Sequence, residues 1–143
     1  LSADNAAIVT KSGRVVRTAG FPENIRETRF AGPDPLVQLT TPCDQCYELT
    51  RELDVTAEQA EIFPKFGYAI TSRFEVLGAR SINIVGIDFD TILVREFNQA
   101  KTGNWAFENL YWIDPADGFV WKSRQHISRL FPPIEIEVLK PAG

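Results

Sequence analysis

Apolar and polar residues alternate with a period of two along most of the chain, rather than with the 3.6-residue period of a helix. Tyr68, Ile70, Phe74 and Val76, for example, share one parity, and polar side chains stand between them. Successive side chains of a strand point to opposite faces, so this pattern predicts half-buried β-strands. The predicted strands, about ten in number, span residues 7–11, 14–18, 25–30, 47–55, 68–76, 81–87, 91–98, 105–113, 119–127 and 134–139.

Turn-forming residues separate these strands. Ser12-Gly13 predicts a hairpin turn, and the run 114–118 predicts another, because proline presets φ and Asp-Gly tolerates positive φ. The segment 56–62 predicts one or two short helical turns, with a capping-box pattern at its start. No long crossover helix is indicated, so a parallel sheet is excluded. We therefore expect an all-β, antiparallel, barrel-like single domain over residues 1–143.

Composition excludes several classes of function. The 143 residues carry 15 Lys and Arg against 19 Asp and Glu, a net charge of −4, which argues against general nucleic-acid binding. No apolar run approaches the roughly 18 residues of a membrane-spanning helix. With one histidine and two cysteines, the sequence predicts neither a metal centre nor a cofactor. It has no serine nucleophile motif and no glycine-rich phosphate loop, so no catalytic residues are predicted.

Cys43 and Cys46 form a C-x-x-C motif, which occurs in redox pairs, in halves of metal sites and in small disulfide loops. A redox pair is typical of a helix N-terminus, whereas here Pro42 precedes the motif and a strand-like segment follows it. A metal site would need a second pair of ligands, and the sequence offers none apart from His126 and carboxylates. A structural disulfide between Cys43 and Cys46 in an oxidising compartment is therefore the favoured interpretation, with free thiols as the main alternative.

Asp88 and Asp90 flank Phe89 at a predicted strand junction, a D-x-D spacing that sometimes holds a divalent metal with a nucleotide sugar. That use belongs to α/β nucleotide-binding domains, so a turn carboxylate pair is favoured here. A polysaccharide-processing enzyme would instead need two carboxyl groups about 5–10 Å apart. Asp88, Asp90, Glu96 and Glu108 are the candidates for that alternative function.

Lys122, Arg124 and His126 share one parity of a predicted strand. They form either an ordinary solvated face or a basic stripe that meets acidic sugars or an acidic protein. Large aromatic residues are concentrated nearby and are more often core residues than ligand contacts. Tyr111 and Trp112 are adjacent and so face opposite sides of a strand, which predicts that at least one is partly exposed. Trp112, Lys122, Arg124 and His126 are the predicted glycan- or partner-binding residues.

The densest of several distinctive motifs is the run Asn109-Leu110-Tyr111-Trp112-Ile113-Asp114, which is followed by Gly118, Ser123, Gln125 and Pro132-Pro133. Ile8-Val9-Thr10, Gly13-Arg14-Val15-Val16 and Asp34-Pro35-Leu36 precede it. Together these residues resemble the group 4 capsule polysaccharide lipoprotein family (GfcB/YjbF-like) over nearly the whole chain. The resemblance implies a mainly antiparallel, barrel-like β fold and no established catalytic residues.

The resemblance also implies a function. It points to a non-enzymatic bacterial envelope lipoprotein that supports the assembly or secretion of capsule or exopolysaccharide. Such proteins are exported and acylated on an N-terminal cysteine, so we expect a signal and lipid anchor upstream of Leu1 and an outer-membrane location facing the periplasm. The expected partners are polysaccharide or proteins of the export machinery, with membrane contact only through the lipid.

A third function considered is a pure protein-interaction module. An open sheet edge could add a strand to a protein of the export machinery. The same kind of edge would also allow a homodimer.

Overall fold

Nine strands account for most of the residues described by the computed structural model, which are 5–37, 48–57 and 65–139. A short 3-10 helix, Pro35–Val37, follows the third strand. Within the described ranges, no helix is long and apolar enough to cross a bilayer. The strands are β1 (Ala7–Lys11), β2 (Arg14–Ala19), β3 (Glu23–Phe30), β4 (Glu48–Ala57), β5 (Lys65–Ile84), β6 (Ile87–Ala100), β7 (Ala106–Ile113), β8 (Val120–Gln125) and β9 (Ile134–Glu137).

The strands are arranged in a hairpin and one curled sheet. β1 and β2 form the hairpin, and the remaining seven strands form one sheet in sequential order from β3 to β9, with every neighbouring pair antiparallel. The larger sheet curls into a half-barrel, whose edge strands β3 and β9 do not pair with each other in the described part of the chain. The predicted all-β antiparallel class is confirmed, and the described strands form an open half-barrel rather than a closed barrel.

The long β5–β6 hairpin corrects one strand prediction. β5 and β6 are 20 and 14 residues long and pair in register out to Ile84 and Ile87. Val85 and Gly86 form the turn, with φ angles of 48° and 83°. Two-residue hairpin turns with positive φ at both positions match the twist of the flanking strands. The predicted separate strand over 81–87 is wrong, because the turn falls inside that segment and its first part continues β5.

The prediction of helical turns over 56–62 is wrong for its first two residues. β4 continues to Ala57, and Thr56 pairs with Asn24 of β3. Pairing with β3 satisfies the backbone groups that a helical turn would otherwise have bonded internally. Residues 58–62 lie outside the described ranges, as does Tyr47 at the predicted start of this strand.

The concave side of the half-barrel holds the core, and the β1–β2 hairpin covers it. The side chain of Gln125 binds this hairpin twice: its Oε1 accepts a hydrogen bond from the Val15 N–H at 2.9 Å, and its Nε2 donates to the Gly13 carbonyl at 2.7 Å. Two buried apolar clusters lie on this side. One includes Val15, Phe21, Ile25, Leu53, Val55, Tyr68, Ile70 and Phe107, and the other includes Leu36, Leu49, Phe74, Val94, Tyr111, Ile113 and Val120.

The alternation predicted for β5 is confirmed over its first half. Tyr68, Ile70 and Phe74 are buried, whereas Val76 is 43% exposed. A bulge follows Val76, and beyond it β5 contributes nothing to either apolar cluster. The second half of the β5–β6 hairpin packs elsewhere: Ile84 is 3% exposed, and Phe89 stacks on Trp121 with ring centres 4.2 Å apart.

Candidate functional site

The side of the sheet that faces away from the core carries polar, charged and aromatic side chains. Residues opposite each other in register share a side of the sheet, so the register identifies them. Phe97, for instance, lies opposite Arg73 on β5 and opposite Glu108 on β7. We call this surface the open face; its members are Glu48, Thr50, Thr71, Arg73, Glu75, Leu93, Arg95, Phe97, Gln99, Ala106, Glu108, Leu110, Trp112, Lys122, Arg124, Glu135 and Glu137.

Three of the four residues predicted to bind glycan or a partner lie together on the open face. Trp112 and Lys122 are opposite each other on β7 and β8, and the Lys122 Nζ lies 5.0 Å from the centre of the Trp112 ring. Arg124 follows on the same side of β8, and its Nε lies 3.8 Å from the Glu135 Oε1. The ammonium of Lys122 thus lies within cation–π range of an aromatic side chain, on a solvent-accessible surface.

His126, the fourth predicted residue, lies apart from these three. β8 ends at Gln125, and the His126 ring packs 5.6 Å from the ring of Phe107, a core residue. The His126 N–H donates to the Asn109 Oδ1 at 2.8 Å, and its Nδ1 lies 2.9 Å from the Glu108 carbonyl oxygen. Strand parity does not place His126 beside Lys122, because the regular alternation stops where β8 ends.

A groove of about 700 Å³ crosses β4 to β7 on the open face. The charged and aromatic residues of the open face that line it are Glu48, Arg73, Phe97 and Glu108. Polar side chains extend it on neighbouring strands, namely Thr50, Thr71 and Gln99. The groove therefore offers hydroxyl, amide, cationic, anionic and aromatic groups on one surface.

Phe97 lies between two guanidinium groups on the open face. The Arg95 Cζ is 4.6 Å and the Arg73 Cζ is 5.6 Å from the centre of its ring. Arg95 also donates from Nη2 to the Glu75 Oε2 at 2.8 Å. The sequence does not indicate this cluster, because Arg73 and Phe97 lie on different strands and only the register brings them together.

A buried ionic cluster, which is also not predicted from the sequence, lies on the other side of the same strands. Glu96 on β6 is fully buried, and Arg14 of the covering hairpin is 1% exposed. Arg14 donates from Nη2 to the Glu96 Oε2 at 2.5 Å and from Nη1 to the Glu96 Oε1 at 3.1 Å. Its Nε donates to the Asp34 Oδ2 at 2.6 Å. One guanidinium therefore links the hairpin, the sheet and the segment that follows β3.

Neutral polar groups complete the hydrogen bonding of Glu96. Its Oε1 accepts from the Asn109 Nδ2 and the Tyr111 hydroxyl, both at 2.9 Å, and from the Asn98 Nδ2 at 3.2 Å. Burial alone would raise the pKa of Glu96, but the charges of Arg14 and Arg51 and these hydrogen bonds outweigh burial and lower the pKa to about 2. Glu96 is therefore ionised throughout the physiological pH range.

Arg51 is the second cation of this cluster. It is 5% exposed, its Nη1 donates to the Ser72 hydroxyl at 2.6 Å, and it lies 3.9 Å from the Glu96 Oε2. Burial and repulsion from Arg14 lower its pKa. A signal was present in the sequence, since Arg51 stands between Leu49 and Leu53 on the inward parity of a strand.

The four candidate catalytic carboxylates do not share one cleft. Glu96 faces the core and Glu108 the open face. Asp90 is six residues from Glu96 along β6, roughly 20 Å in a strand, which is beyond the about 5–10 Å that glycoside hydrolysis needs. Asp88 and Asp90 are not turn residues as predicted; they lie on β6 because the turn occurs at Val85, and Asp88 accepts a hydrogen bond from Asn83 at 2.7 Å.

The remaining predictions concern metals and the cysteine pair. Among the residues that the structure describes, no group of three or more His, Cys, Asp or Glu side chains could hold a metal ion. Cys43 and Cys46 lie outside the described ranges. Their disulfide therefore stays a prediction.

The family of the chain is established by comparison with known proteins. The family described as group 4 capsule polysaccharide lipoprotein gfcB, YjbF matches residues 1–139. The chain belongs to this lipoprotein family. The resemblance found in its motifs is thereby confirmed.

Two relatives and one solved structure show how far the likeness to this family extends. The chain is 30% identical over 142 residues to the uncharacterized lipoprotein GfcB of Escherichia coli (strain K12), covering 99% of this chain and 64% of that protein. It is 28% identical over 140 residues to the uncharacterized lipoprotein YjbF of the same organism, covering 97% and 62%. The chain thus spans slightly less than two thirds of the length of these relatives.

A crystal structure of the hypothetical lipoprotein YmcC from Escherichia coli (K12) has a similar fold. Its TM-score is 0.82 at 29% sequence identity, and the alignment covers 100% of this chain and 71% of that one. The half-barrel is therefore shared with another lipoprotein.

Proposed function

We propose that this protein is a non-enzymatic lipoprotein of the bacterial cell envelope that supports the assembly or secretion of capsule or exopolysaccharide. The observation that carries the proposal is the match to the capsule polysaccharide lipoprotein family over residues 1–139. An outer-membrane location facing the periplasm, with membrane contact through an attached lipid, belongs to the same proposal.

The open face is the surface through which the protein would contact polysaccharide. The rings of Trp112 and Phe97, beside which cationic side chains already pack, add aromatic surface for contact with sugars. Lys122, Arg73 and Arg124 offer charge-assisted hydrogen bonds to carboxylate groups. This combination lies on a broad sheet surface that also contains the 700 Å³ groove, so it suits an extended chain of sugars better than a small molecule.

A non-enzymatic role agrees with the surroundings of Glu96. Glu96, the one buried candidate, is surrounded by cations and hydrogen-bond donors that hold it ionised. A general acid needs a raised pKa, and the cluster around Glu96 has the opposite effect. Glu96 acts in this proposal as a structural anion.

A role in binding proteins of the export machinery is the second candidate. The observation in its favour is the edge strand β9, which pairs only with β8 among the described strands. Such an edge can accept a strand from a partner protein or from a second copy of this chain. Its alternating Ile and Glu residues would select the partner by charge.

Deletion of the encoding gene tests the proposed function. Cell-bound and secreted polysaccharide are measured in the deletion strain, in the parent and in a strain that carries the gene on a plasmid. We expect both fractions to fall in the deletion strain and to return with the plasmid. Unchanged polysaccharide, under conditions in which the parent produces it, would refute a role in its assembly or secretion.

A further inference from the structure

A second cavity, of about 450 Å³, lies where β5 begins and where β6 leads into β7. Three cationic side chains, those of Lys65, Lys101 and Arg129, contribute to its lining. Two aromatic residues, Phe66 and Tyr68, also line it, and the described lining contains no carboxylate. We call this cavity the basic pocket.

The basic pocket continues the groove of the open face. Thr71 and Gln99 line the groove, and Ala69 and Lys101, each two residues away along the chain, line the pocket. The Lys101 N–H donates to the Ala69 carbonyl at 3.0 Å, which extends the pairing of β5 and β6. Two residues of a strand span roughly 7 Å, so a linear ligand that lies in the groove reaches the pocket.

Two carboxylates close to the wall of the basic pocket are paired with a guanidinium outside it. Gly67, at its wall, donates its N–H to the Asp54 Oδ1 at 2.9 Å, but Asp54 also accepts from both Nη atoms of Arg29, at 2.8 and 2.9 Å. Glu52 lies 3.5 Å from the same guanidinium. Arg29 therefore pairs with both acids, and the described lining of the pocket itself carries three cations and no carboxylate.

The interior of the pocket is organised by hydrogen bonds and aromatic contacts. The Tyr68 hydroxyl donates to the Thr102 carbonyl at 3.0 Å, and the Arg129 Nη1 donates to the Gly103 carbonyl at 2.6 Å. The Lys65 Nζ lies 5.0 Å from the centre of the Tyr68 ring. Phe66 is 71% exposed beside these groups, so the pocket offers an aromatic surface next to its cations.

We propose that the basic pocket binds the carboxylate of a uronic-acid unit in a polysaccharide chain that lies along the groove. Ammonium and guanidinium groups form strong charge-assisted hydrogen bonds to carboxylates, and an exposed aromatic ring packs against the apolar face of a sugar. The inference rests on the proposed function and specifies it: the protein recognises an acidic glycan.

Isothermal titration calorimetry of the purified protein tests this inference with two probes of equal length. One is an oligogalacturonate hexamer, and the other is neutral maltohexaose. We expect the acidic hexamer to bind at least tenfold more tightly, and its affinity to fall as salt rises, because exposed charges are screened. Lys101→Gln combined with Arg129→Gln should remove this preference and leave maltohexaose unaffected.

A matched control separates the pocket from overall charge. Lys11→Gln combined with Arg17→Gln removes the same charge from exposed positions on the β1–β2 hairpin and should leave binding unchanged. If Arg129→Gln disturbs folding, as judged by circular dichroism, Lys65→Gln combined with Lys101→Gln replaces it. The inference is overturned if both hexamers bind with equal affinity or if the acidic hexamer does not bind. It is also overturned if the control variant loses as much affinity for the acidic hexamer as the pocket variant.

Free galacturonate and inorganic phosphate complete the test as competitors. We expect each to displace the acidic hexamer only at concentrations at least a hundredfold higher, because they lack the contacts along the groove. Displacement by either at equal concentration would show a general anion site and overturn the inference. None of these outcomes depends on the deletion strain, which tests the polysaccharide role separately.

Discussion

Replacement of Glu96 by Gln is predicted to destabilise the fold strongly. The substitution keeps the shape of the side chain but removes its charge, which leaves Arg14 and Arg51 buried with Asp34 as the remaining described anion of the cluster. The new amide also directs N–H groups at the Arg14 Nη2, which donates to Glu96 at 2.5 Å. A donor then faces a donor in a site that excludes water.

The magnitude follows from the burial of the cluster. Removing one partner of a buried ion pair costs about 3–5 kcal/mol. Domains of this size are stable by about 5–15 kcal/mol, so the variant should lose a large share of its stability. At about 2–4 °C per kcal/mol for a chain of this length, the melting temperature should fall by roughly 6–20 °C.

Urea denaturation followed by tryptophan fluorescence, together with calorimetric melting, measures this loss. Glu108→Gln is the matched control, since Glu108 is an exposed residue of the open face on the adjacent strand. Its effect should stay within about 0.5 kcal/mol. A Glu96→Gln variant that loses less than about 1 kcal/mol would refute the account of the buried cluster.

Three further predictions concern pH and two turns. The pKa of Glu96 is lowered from 4.5 to about 2 in the folded state. The ionised carboxylate therefore contributes about 3 kcal/mol to the free energy of unfolding above pH 4.5, and this contribution is lost as the pH falls towards 2. Acid unfolding of Glu96→Gln should lack this part of the pH dependence, and an unchanged profile would contradict the lowered pKa of Glu96. Gly13→Ala should lower the free energy of unfolding in urea by about 2–4 kcal/mol, because at φ 87° the added Cβ overlaps Val120. Gly86→Ala, with open space around it, should lower it by only about 1–2 kcal/mol. Equal losses of stability would contradict the packing of the β1–β2 hairpin against Val120. Val85→Asn should stabilise the protein by about 0.5–1 kcal/mol, because Asn tolerates a φ of 48° better than a β-branched residue, and a lower melting temperature would argue against this turn.

The alternation of apolar and polar residues was enough to predict the class of fold and which side of several strands faces the core. Leu49, Leu53, Ile70 and Phe74 are buried as their parity indicates, because the side a residue takes depends only on its neighbours along the strand. The turn at Val85 and Gly86 was not predicted. Gly86 is a typical turn residue, but Val85 is β-branched and therefore unfavourable at the positive φ that this turn requires.

The buried ionic cluster and the pair of Trp112 and Lys122 both depend on contacts between different strands. Arg14 and Glu96 are 82 residues apart in sequence, and neither reveals the other in a one-dimensional pattern. Trp112 and Lys122 belong to one predicted binding set, but only the register of β7 and β8 shows that they lie opposite each other. Charged residues at inward positions, as at Arg51, were the one available hint of a buried ionic cluster.

The most direct test of the central claim is the polysaccharide output of a deletion strain that carries variants of the open face. Trp112→Ala combined with Lys122→Gln is compared with the wild-type gene and with Lys11→Gln combined with Arg17→Gln, at equal protein abundance. We predict that the open-face variant leaves cell-bound and secreted polysaccharide close to the level of the deletion, and that the hairpin variant restores both. Full restoration by the open-face variant would contradict the claim that this surface acts on polysaccharide.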